Sequence, residues 1–544
     1  MHAAASSTSA RPGRFAGRLV ALADAAPAWA VLAAAGLGLV AMALVAAIPG
    51  SPYQPIQLRE PAGVLPTLAV GLGLDRVGGN ASLAIGVLVA GSAVAGFLWL
   101  LRASAAGRVG VGAVALFVAA AHLLLLLGVP LVFSRDAYSY AYYGRIEARY
   151  GANPYLQTPL DHADDPLWRV VGPKWVDTPA VYGPAWTAAS AWLAERFPSP
   201  ADHVAVYPTI AIVASLATCA AIAAAARRLR PDAVGVALAA FGANPVVLFH
   251  TVAGGHNDVV VALGIALGLW FVASGRVVLA LLVLTLGALV KATGALPLLL
   301  LVGWSVGDRP PSERRRALLV ELGLVAGVAL VFAAPYLSWR DPTLGMLELA
   351  THEGWLAPAA VLGRVLNVVS LGTLGWVVRL GFGVVLVVAV GWTAAEVYRR
   401  RAAGLGCSAA ELGAAWGWLL VSLALLGPVL LPWYVAWALP LAWLMPERPR
   451  RALLAASCLL AVTLWSAEPL RFPGGFDLNL VVGEWIVTPA LLVLALRALV
   501  DLRRRLALGL PLGPGRTAER AAPEPAQRVP APGGEGRGDE GAGP

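Results

Sequence analysis

The sequence has little charge. Only 13% of its 544 residues are Asp, Glu, Lys or Arg, whereas 59% are hydrophobic. An ordinary soluble domain carries about 25% charged residues, and a water-soluble chain of this length would need far more polar surface. This composition excludes an assembly of soluble domains. Apolar stretches of about 20 residues recur along most of the chain, and they predict an all-α polytopic integral membrane protein.

Cysteine and lysine are also scarce. The three cysteines, Cys219, Cys407 and Cys458, show no pairing and no CxxC spacing, which argues against a disulfide framework and against a zinc site. Two of the 40 basic residues are lysines, Lys174 and Lys291. The net charge of +9 therefore comes from arginine, and in a membrane protein it indicates topology before it indicates nucleic acid. We expect no nucleic-acid partner.

Motifs for soluble nucleotide chemistry are missing as well. The sequence contains no Walker A motif, no GxGxxG after a strand, and no HExxH or GxSxG with the required partners. Nucleotide-driven transport and soluble nucleotide-sugar chemistry therefore lose support.

The apolar spans and the arginines between them predict the topology. We expect about 12 to 14 transmembrane helices. The clear spans lie near residues 28–48, 82–101, 110–133, 204–226, 233–253, 257–274, 317–337, 374–397, 410–431, 433–445, 452–467 and 480–499. With a cytoplasmic N-terminus, six arginine clusters fall on the cytoplasmic side, as the positive-inside rule requires. This count needs residues 277–306 to form two short helices that enter and leave on one side. The alternative is a single long span with a basic loop on the wrong side.

The same topology divides the chain into three parts. Residues 1–27 are a cytoplasmic N-terminal segment, residues 28–505 a multispanning domain, and residues 506–544 a disordered cytoplasmic tail. A large extracytoplasmic loop, about 134–203, follows the third span. We expect both termini in the cytoplasm and the active site on the extracytoplasmic side of the cell membrane, because the loops on that side hold much of the acidic and histidine inventory.

The first candidate motif begins the long loop at Ser134-Arg135-Asp136 and continues with a row of tyrosines that includes Tyr138. A carboxylate at a membrane boundary can act as general base toward an attacking hydroxyl, and aromatic faces suit sugar rings. The other interpretation is an interfacial tyrosine belt with Asp136 capping a helix. Residue types alone do not decide between them. Further along, Tyr182 lies on a proline-fixed turn, where it can line a sugar site or only support the loop.

Two further motifs place polar residues in apolar surroundings. In residues 254–258, two glycines precede His256, Asn257 and Asp258, which could bind a sugar, a phosphate or a divalent ion. These three side chains are not a full metal-ligand set, and Asn257 or Asp258 could instead cap the next helix. Lys291 lies between two short apolar halves. A buried ammonium needs an anion, and a phosphate at a helix break would supply one; snorkelling explains this position less well.

The last motif, Trp-Tyr-Val-Ala-Trp-Ala-Leu-Pro at 433–440, begins with Trp433 and Tyr434. Both lie where an outer aromatic belt is expected, and that role is the simpler interpretation. They could also line a groove for a lipid chain.

As a set, these motifs resemble the GT-C membrane glycosyltransferases that use polyprenyl-phosphate sugars. Among these, the sequence is most similar to the actinobacterial polyprenol-phosphate-mannose-dependent α-1,6-mannosyltransferases of lipomannan assembly. The similarity is carried, in order, by SRDAYSYAYYGR at 134–145, GANPY at 151–155, VYGPAW at 181–186, NPVVLFHTVAGGHNDVVV at 244–261, LVKATGALPLLLL at 289–301 and WYVAWALP at 433–440. The set is specific, whereas each piece alone is weak.

The resemblance implies a GT-C fold and an inverting transfer of mannose from polyprenyl-phosphate mannose to a mannan or lipomannan-type glycolipid acceptor, with an α-1,6 linkage. Asp136 is the position that matches the acid which deprotonates the acceptor hydroxyl in this family. Lys291 matches the cation that stabilises the leaving phosphate, with Arg135 and Arg145 as further candidates. One base suffices, because the phosphate already leaves readily.

We expect the remaining candidates to contact the sugar, the acceptor or the lipid chain; they are Tyr138, Tyr182, His256, Asn257, Asp258, Trp433 and Tyr434. The donor acts as co-substrate within the lipid bilayer, and we expect no other cofactor and no metal ligands, although a divalent-metal requirement stays open. The competing class is a polytopic transporter or lipid flippase, in which Lys291 and Asp258 would belong to a substrate or ion path. The lack of an inverted repeat argues against that class.

Overall fold

The computed structural model describes residues 24–345, 354, 356–370, 372, 374–463 and 473–513. All regular structure in these ranges is helical, which confirms the predicted all-α class. Most of the predicted N-terminal segment and nearly all of the predicted tail lie outside the described residues, as residues 1–23 and 514–544.

We number the described α-helices in chain order. The first nine are α1 (Ala28–Ala47), α2 (Val64–Gly71), α3 (Gly79–Ala105), α4 (Val111–Leu126), α5 (Asp136–Tyr150), α6 (Pro184–Arg196), α7 (Pro200–Leu229), α8 (Val234–Gly242) and α9 (Asp258–Ala273). The others are α10 (Val277–Val290), α11 (Ala295–Gly307), α12 (Pro311–Ala333), α13 (Pro358–Val369), α14 (Gly375–Ala402), α15 (Ala409–Leu426), α16 (Glu447–Val462), α17 (Pro473–Val482) and α18 (Thr488–Ala507).

Many of these helices have the length and apolarity of membrane spans. Among the described residues, seven helical segments of at least 18 residues qualify, and five shorter apolar helices have 10 to 17 residues. The polytopic character is thereby confirmed. The count of 12 to 14 spans depends on how many of the shorter helices cross the bilayer, and it stays a prediction. In its most apolar stretch α15 is 78% buried, whereas the span that contains α12 is 6% buried, so α15 is central and α12 peripheral.

Proline interrupts two of the expected spans. Residues 433–445 form two buried 3-10 helices, Pro432–Trp437 and Leu439–Leu444, and not the continuous span expected from their apolar composition. Pro440 lies inside the expected span, where its missing N–H and its ring prevent a continuous α-helix. The expected span 233–253 is bent by 45° between Gly242 and Val246, beside the Asn244-Pro245 pair, and continues as a π-helix to Val252.

The predicted break within residues 277–306 is present. Helix α10 ends at Val290, Lys291 is extended with φ −154° and ψ 133°, and a 3-10 turn at Ala292–Gly294 leads into α11. The polar Lys291 therefore lies at a helix break inside apolar sequence. Whether the two halves enter and leave on the same side of a membrane stays a prediction.

The long loop is a packed structure. Helices α5 and α6 lie against each other where Gly144 meets Ser190; a Cβ at Gly144 would lie 2.3 Å from the Ser190 carbonyl oxygen. Between them the loop is held by a buried ion pair of Arg145 with Asp165 at 2.8 Å. Tyr150 at the end of α5 is 42% exposed, but the other tyrosines of this helix, Tyr138, Tyr140, Tyr142 and Tyr143, are buried in the packing. They do not form the surface that an interfacial tyrosine belt requires.

Candidate active site

Four parts of the chain meet at one place. They are the N-terminus of α5, the turn 254–258 that precedes α9, the break at Lys291, and the 3-10 helix Pro432–Trp437. Each carries one of the motifs singled out from the sequence. The tertiary structure therefore brings together polar residues that are up to 301 positions apart, from Asp136 to Trp437.

Asp136 faces His256. The carboxylate Oδ2 lies 3.3 Å from the imidazole Nδ1, and the Asp136 side chain is 20% exposed while that of His256 is fully buried. Asp136 is the first residue of α5, and its backbone N–H donates to Ser134 Oγ at 3.0 Å. Its carboxylate makes no helix-capping bond, so the capping interpretation does not account for this residue.

The His256 ring is held from two directions. Trp433 stacks on it with 3.7 Å between ring centroids and 20° between planes. On the backbone side, a Cβ at Gly254 would lie 2.7 Å from the imidazole Cδ2, so only glycine leaves room for the ring there. Gly255 adopts φ +67°, a conformation that favours glycine and that turns the chain toward α9. Both glycines of the motif are thus explained by the position of His256.

Lys291 pairs with Asp258. The ammonium Nζ lies 2.8 Å from Asp258 Oδ1, with 8% and 0% of the two side chains exposed. Trp437 Nε1 donates to the same oxygen at 2.7 Å, and the ammonium lies 4.5 Å from the centre of the Tyr434 ring. Asp258 opens α9 without a capping bond from Asn257, so the capping interpretation fails here too. Lys291 is buried and does not snorkel.

The turn at 181–186 fixes the helix break. The Gly183 N–H donates to the Val290 carbonyl at 3.0 Å, and a Cβ at Gly183 would lie 2.1 Å from the Leu289 carbonyl oxygen. Because Pro184 starts α6 directly afterwards, this contact ties α6 to the end of α10 and positions the residue that follows, Lys291. The conformation of the loop and the place of the lysine therefore depend on each other.

Tyr140 links the loop to the turn. Its hydroxyl donates to Asn257 Oδ1 at 3.3 Å and accepts from the Asn257 N–H at 3.4 Å, and its ring meets Tyr182 edge-on at 4.6 Å. Neither Tyr140 nor Trp437 was predicted as a site residue from the sequence, although both lie in the motifs at 134–145 and 433–440. Their spacing within those motifs holds no signal that separates them from neighbouring aromatic residues.

Three of the expected site residues have their main contacts elsewhere. Tyr138 donates to the Ile56 carbonyl at 2.7 Å, and Arg135 donates to the Val171 carbonyl at 3.4 Å. Arg145 is paired with the buried Asp165, whose charge balances its own. This geometry favours a structural role for Arg145 over a role in binding phosphate.

Several buried polar atoms around the four central side chains have no hydrogen-bond partner within the described residues. They are His256 Nδ1 and Nε2, Asn257 Nδ2, Asp258 Oδ2, Thr293 Oγ1 and Trp433 Nε1. Leaving one such group unsatisfied costs about 1 to 3 kcal/mol, and native proteins rarely concentrate them without a reason. Their concentration at one place is typical of a functional site.

The electrostatics keep Asp136 ionised. Burial raises the pKa of Asp136, but the neighbouring His256, the charge of Lys291 and Ser134 together outweigh that effect and hold the pKa below its usual value. At neutral pH Asp136 is therefore a carboxylate, which can accept a proton but cannot supply one. Among the described residues, no group of three His, Cys, Asp or Glu side chains is arranged to hold a metal ion.

A multi-pass helical membrane protein that joins an ionised carboxylate, a buried lysine and aromatic faces around a polar site has the features of a membrane glycosyltransferase. A family model described as alpha-(1->6)-mannopyranosyltransferase, N-terminal domain, matches residues 35–307. The chain belongs to this family. The matched segment contains Asp136, His256, Asp258 and Lys291, whereas Trp433 and its neighbours lie beyond it.

Two curated relatives agree with the family. The chain is 29% identical over 391 residues to alpha-(1->6)-mannopyranosyltransferase A of Mycobacterium tuberculosis, which covers 67% of this chain and 70% of that protein. It is 28% identical over 358 residues to alpha-(1->6)-mannopyranosyltransferase B of Corynebacterium glutamicum, covering 58% of this chain and 56% of that protein. No solved structure matches the chain significantly. The predicted family and the predicted hexosyltransferase class are confirmed, and the transporter or flippase alternative loses its support.

Proposed function

We propose that this mannosyltransferase takes mannose from polyprenyl-phosphate mannose and adds it, with inversion, to a mannan or lipomannan-type acceptor at the extracytoplasmic face of the membrane. The linkage formed is α-1,6, as in the names of the two relatives. The observation that carries the proposal is the group of buried polar atoms around Asp136 and Lys291 that have no hydrogen-bond partner in the described part of the chain.

Asp136 is the base in this reaction. Its side chain is the partly exposed member of the Asp136–His256 pair, so an acceptor hydroxyl can reach it. As the carboxylate takes the hydroxyl proton, the oxygen attacks the anomeric carbon of a β-linked donor from the opposite face. The bond from that carbon to the phosphate oxygen breaks, and the lipid phosphate leaves with the electron pair. One base is sufficient for such a displacement.

Lys291 stabilises the departing phosphate. An ammonium has three N–H donors, and Asp258 occupies one of them at 2.8 Å. The Thr293 hydroxyl, which is buried and has no hydrogen-bond partner among the described residues, lies two residues further along the same break and adds a donor. A preorganised cation that meets charge as it develops is among the strongest contributions to catalysis. Trp433 and Tyr434 offer aromatic faces to the sugar or to the first units of the lipid chain.

The test is a transfer assay with the purified protein in liposomes, polyprenyl-phosphate mannose labelled in the sugar, and an α-mannoside acceptor. We expect Asp136→Asn to lower kcat by about 10²- to 10⁴-fold with little change in the KM for the donor. Lys291→Met should weaken both kcat and donor binding. Asp164→Asn removes an exposed carboxylate from the same loop and serves as the matched control. Full transfer by Asp136→Asn would remove this residue as the base.

The donor, the stereochemistry and the membrane face at which the reaction takes place are tested in separate experiments. GDP-mannose and polyprenyl-phosphate glucose replace the donor in parallel reactions, and activity with GDP-mannose alone would overturn the lipid-linked donor. The anomeric configuration of the product, read by NMR, tests inversion. Sealed vesicles of opposite orientation, supplied with an acceptor that cannot cross the membrane, report which face carries the site; transfer at the cytoplasmic face contradicts the proposed orientation.

A further inference from the structure

His256 lies behind Asp136 as seen from the accessible side of the site. The Asp136 side chain is 20% exposed and that of His256 is not exposed at all, so an acceptor that reaches the carboxylate does not reach the imidazole. The two side chains meet through a single atom pair, Oδ2 and Nδ1 at 3.3 Å. At this distance Nδ1 does not yet make a well-aligned hydrogen bond within the described residues. Contacts between catalytic groups are often long or poorly aligned before substrate binds and tighten in the reacting complex. The other carboxylate oxygen, Oδ1, is left for the acceptor.

The position of the imidazole is strongly restrained. Trp433 covers one face at 3.7 Å, and the Gly254 backbone leaves no space for a Cβ beside Cδ2. Stacked aromatic pairs of this kind contribute beyond the area they bury, and they hold the orientation of the ring. An imidazole that only contacted sugar would need an exposed edge, which this one does not have.

We propose that His256 is the positioning residue of Asp136, with its Nδ1–H holding the carboxylate Oδ2 when the acceptor is bound. This inference rests on the proposed function. Through Oδ2 the imidazole orients the carboxylate so that Oδ1 faces the acceptor hydroxyl. It therefore assigns to His256 a role other than the substrate contact expected from the sequence.

The proton balance is closed without any further reactant. The acceptor O–H bond breaks and its proton goes to Asp136, while the oxygen forms the new bond to the anomeric carbon. The proton stays on Asp136 until the product leaves, and the partly exposed carboxyl group then loses it to water.

Other titratable groups surround the pair. Lys291 and the hydroxyls of four tyrosines interact with Asp136, and His250 interacts with His256; the tyrosines are Tyr140, Tyr143, Tyr182 and Tyr434. Burial raises the pKa of each tyrosine hydroxyl, so all four stay neutral over the working pH range. A change in the acid limb of the pH profile after substitution of His256 therefore reports on Asp136.

Two substitutions test the positioning role. His256→Asn keeps an N–H donor near the position of Nδ1, and His256→Phe keeps an aromatic ring against Trp433 but has no N–H donor. His250→Asn is the matched control. His250 is a buried histidine six residues earlier; it stacks on Phe133 at 4.4 Å and its Nε2 contacts the Ala461 carbonyl at 3.4 Å.

The readout is the pH profile of kcat and kcat/KM for transfer from the lipid-linked donor. In His256→Phe the largest of the effects that offset burial is lost, so the pKa of Asp136 rises and the acid limb of kcat/KM moves to higher pH, by about one unit. His256→Asn keeps an N–H donor, so its acid limb should move less and its kcat should fall less than in His256→Phe, in which we expect a loss of about tenfold or more. The KM for the donor should change little in either variant, and His250→Asn should keep the wild-type limb.

The outcomes divide clearly. Wild-type kcat and an unmoved acid limb in both His256 variants would overturn the inference, and so would an equal shift in His250→Asn. If His256→Phe does not fold, His256→Leu takes its place, because that side chain also lacks an N–H donor. The proposed function is checked first and separately, because it requires transfer by the wild-type protein from polyprenyl-phosphate mannose at any pH. Only a protein that passes that check enters the comparison of pH profiles.

Discussion

The two carboxylates of the site, Asp136 and Asp258, each open a helix and each have a basic partner, but their surroundings differ. Asp136 is partly exposed and has one partner at 3.3 Å, His256. Asp258 is fully buried and holds both Lys291 at 2.8 Å and Trp437 Nε1 at 2.7 Å on one oxygen. Neither carboxylate caps its helix. Two similar sequence contexts therefore give one accessible carboxylate, Asp136, and one fully buried carboxylate, Asp258.

The difference indicates that Asp136 takes part in the reaction and that Asp258 has a structural role. A carboxylate with one loose partner and an exposed edge can exchange a proton with a substrate, whereas a sealed carboxylate with a short ion pair cannot do so without breaking that pair. Asp258 therefore serves to hold the ammonium of Lys291 in a place where an apolar environment would otherwise disfavour it. The comparison predicts that substitutions on the Asp258 side cost stability, and that substitutions on the Asp136 side cost turnover.

The largest expected loss of stability belongs to Asp258→Asn. It leaves Lys291 buried without a counter-charge, and breaking a buried pair in this way costs about 3 to 5 kcal/mol. The free energy of unfolding is measured by titration of SDS into detergent-solubilised protein and followed by tryptophan fluorescence. The double variant Asp258→Asn with Lys291→Met removes both charges and should recover much of that loss while transfer stays absent. A double variant as unstable as the single one would show that the ion pair is not the cause.

Next in size is the contrast between two tryptophans of the same 3-10 helix. Trp437→Phe removes a hydrogen bond to a charged oxygen of Asp258, which is worth about 1.5 to 3 kcal/mol. Trp433→Phe loses no hydrogen bond within the described residues, because Trp433 Nε1 has no partner there, and it keeps a ring against His256. We expect its cost to stay below about 1.5 kcal/mol. Equal losses of unfolding free energy for the two variants in the same SDS titration would contradict the distinction between the Asp258 side and the Asp136 side.

Gly183→Ala tests how the loop holds the lysine. The new Cβ would lie 2.1 Å from the Leu289 carbonyl oxygen, so α6 and the end of α10 must separate. Overpacking of this kind costs about 1 to 3 kcal/mol, and the movement of Lys291 should raise the KM for the donor more than it changes the pH profile. Gly381→Ala is the matched control, since a Cβ there meets no neighbouring atom within 4 Å and helix propensity favours alanine. An unchanged KM for the donor in Gly183→Ala would show that the loop does not determine the position of Lys291.

The individual polar residues of the site could be predicted from the sequence, because few polar groups interrupt its apolar stretches. Asp136, His256, Asp258 and Lys291 each stood out in this way, as did the helix break at Lys291. Their pairing could not be predicted. Asp258 and Lys291 are 33 residues apart, and Trp437 is 179 residues from Asp258, so only the packing of the helices brings them together.

Hydrophobic composition also gave a wrong prediction where proline determines the backbone conformation. Residues 433–445 are apolar enough for a span, yet Pro432 and Pro440 divide them into two 3-10 helices that support the site. Arg145 was expected near the phosphate because it belongs to the same motif as Asp136. Its partner, Asp165, lies 20 residues away in the loop, and no spacing rule indicates that contact.

The smallest expected change in stability belongs to Asp136→Asn, the substitution with the largest expected effect on turnover. Loss of one partly exposed contact at 3.3 Å should change the free energy of unfolding by about 1 kcal/mol or less at neutral pH. The pKa of Asp136 is lower in the folded protein than its usual value. Its contribution to stability is therefore present above the unfolded pKa of about 3.9 and is lost as the pH falls through the folded pKa. Wild type and Asp136→Asn should thus converge in stability only at strongly acidic pH. A loss as large as that in Asp258→Asn would place both carboxylates in the same structural role and would break the comparison.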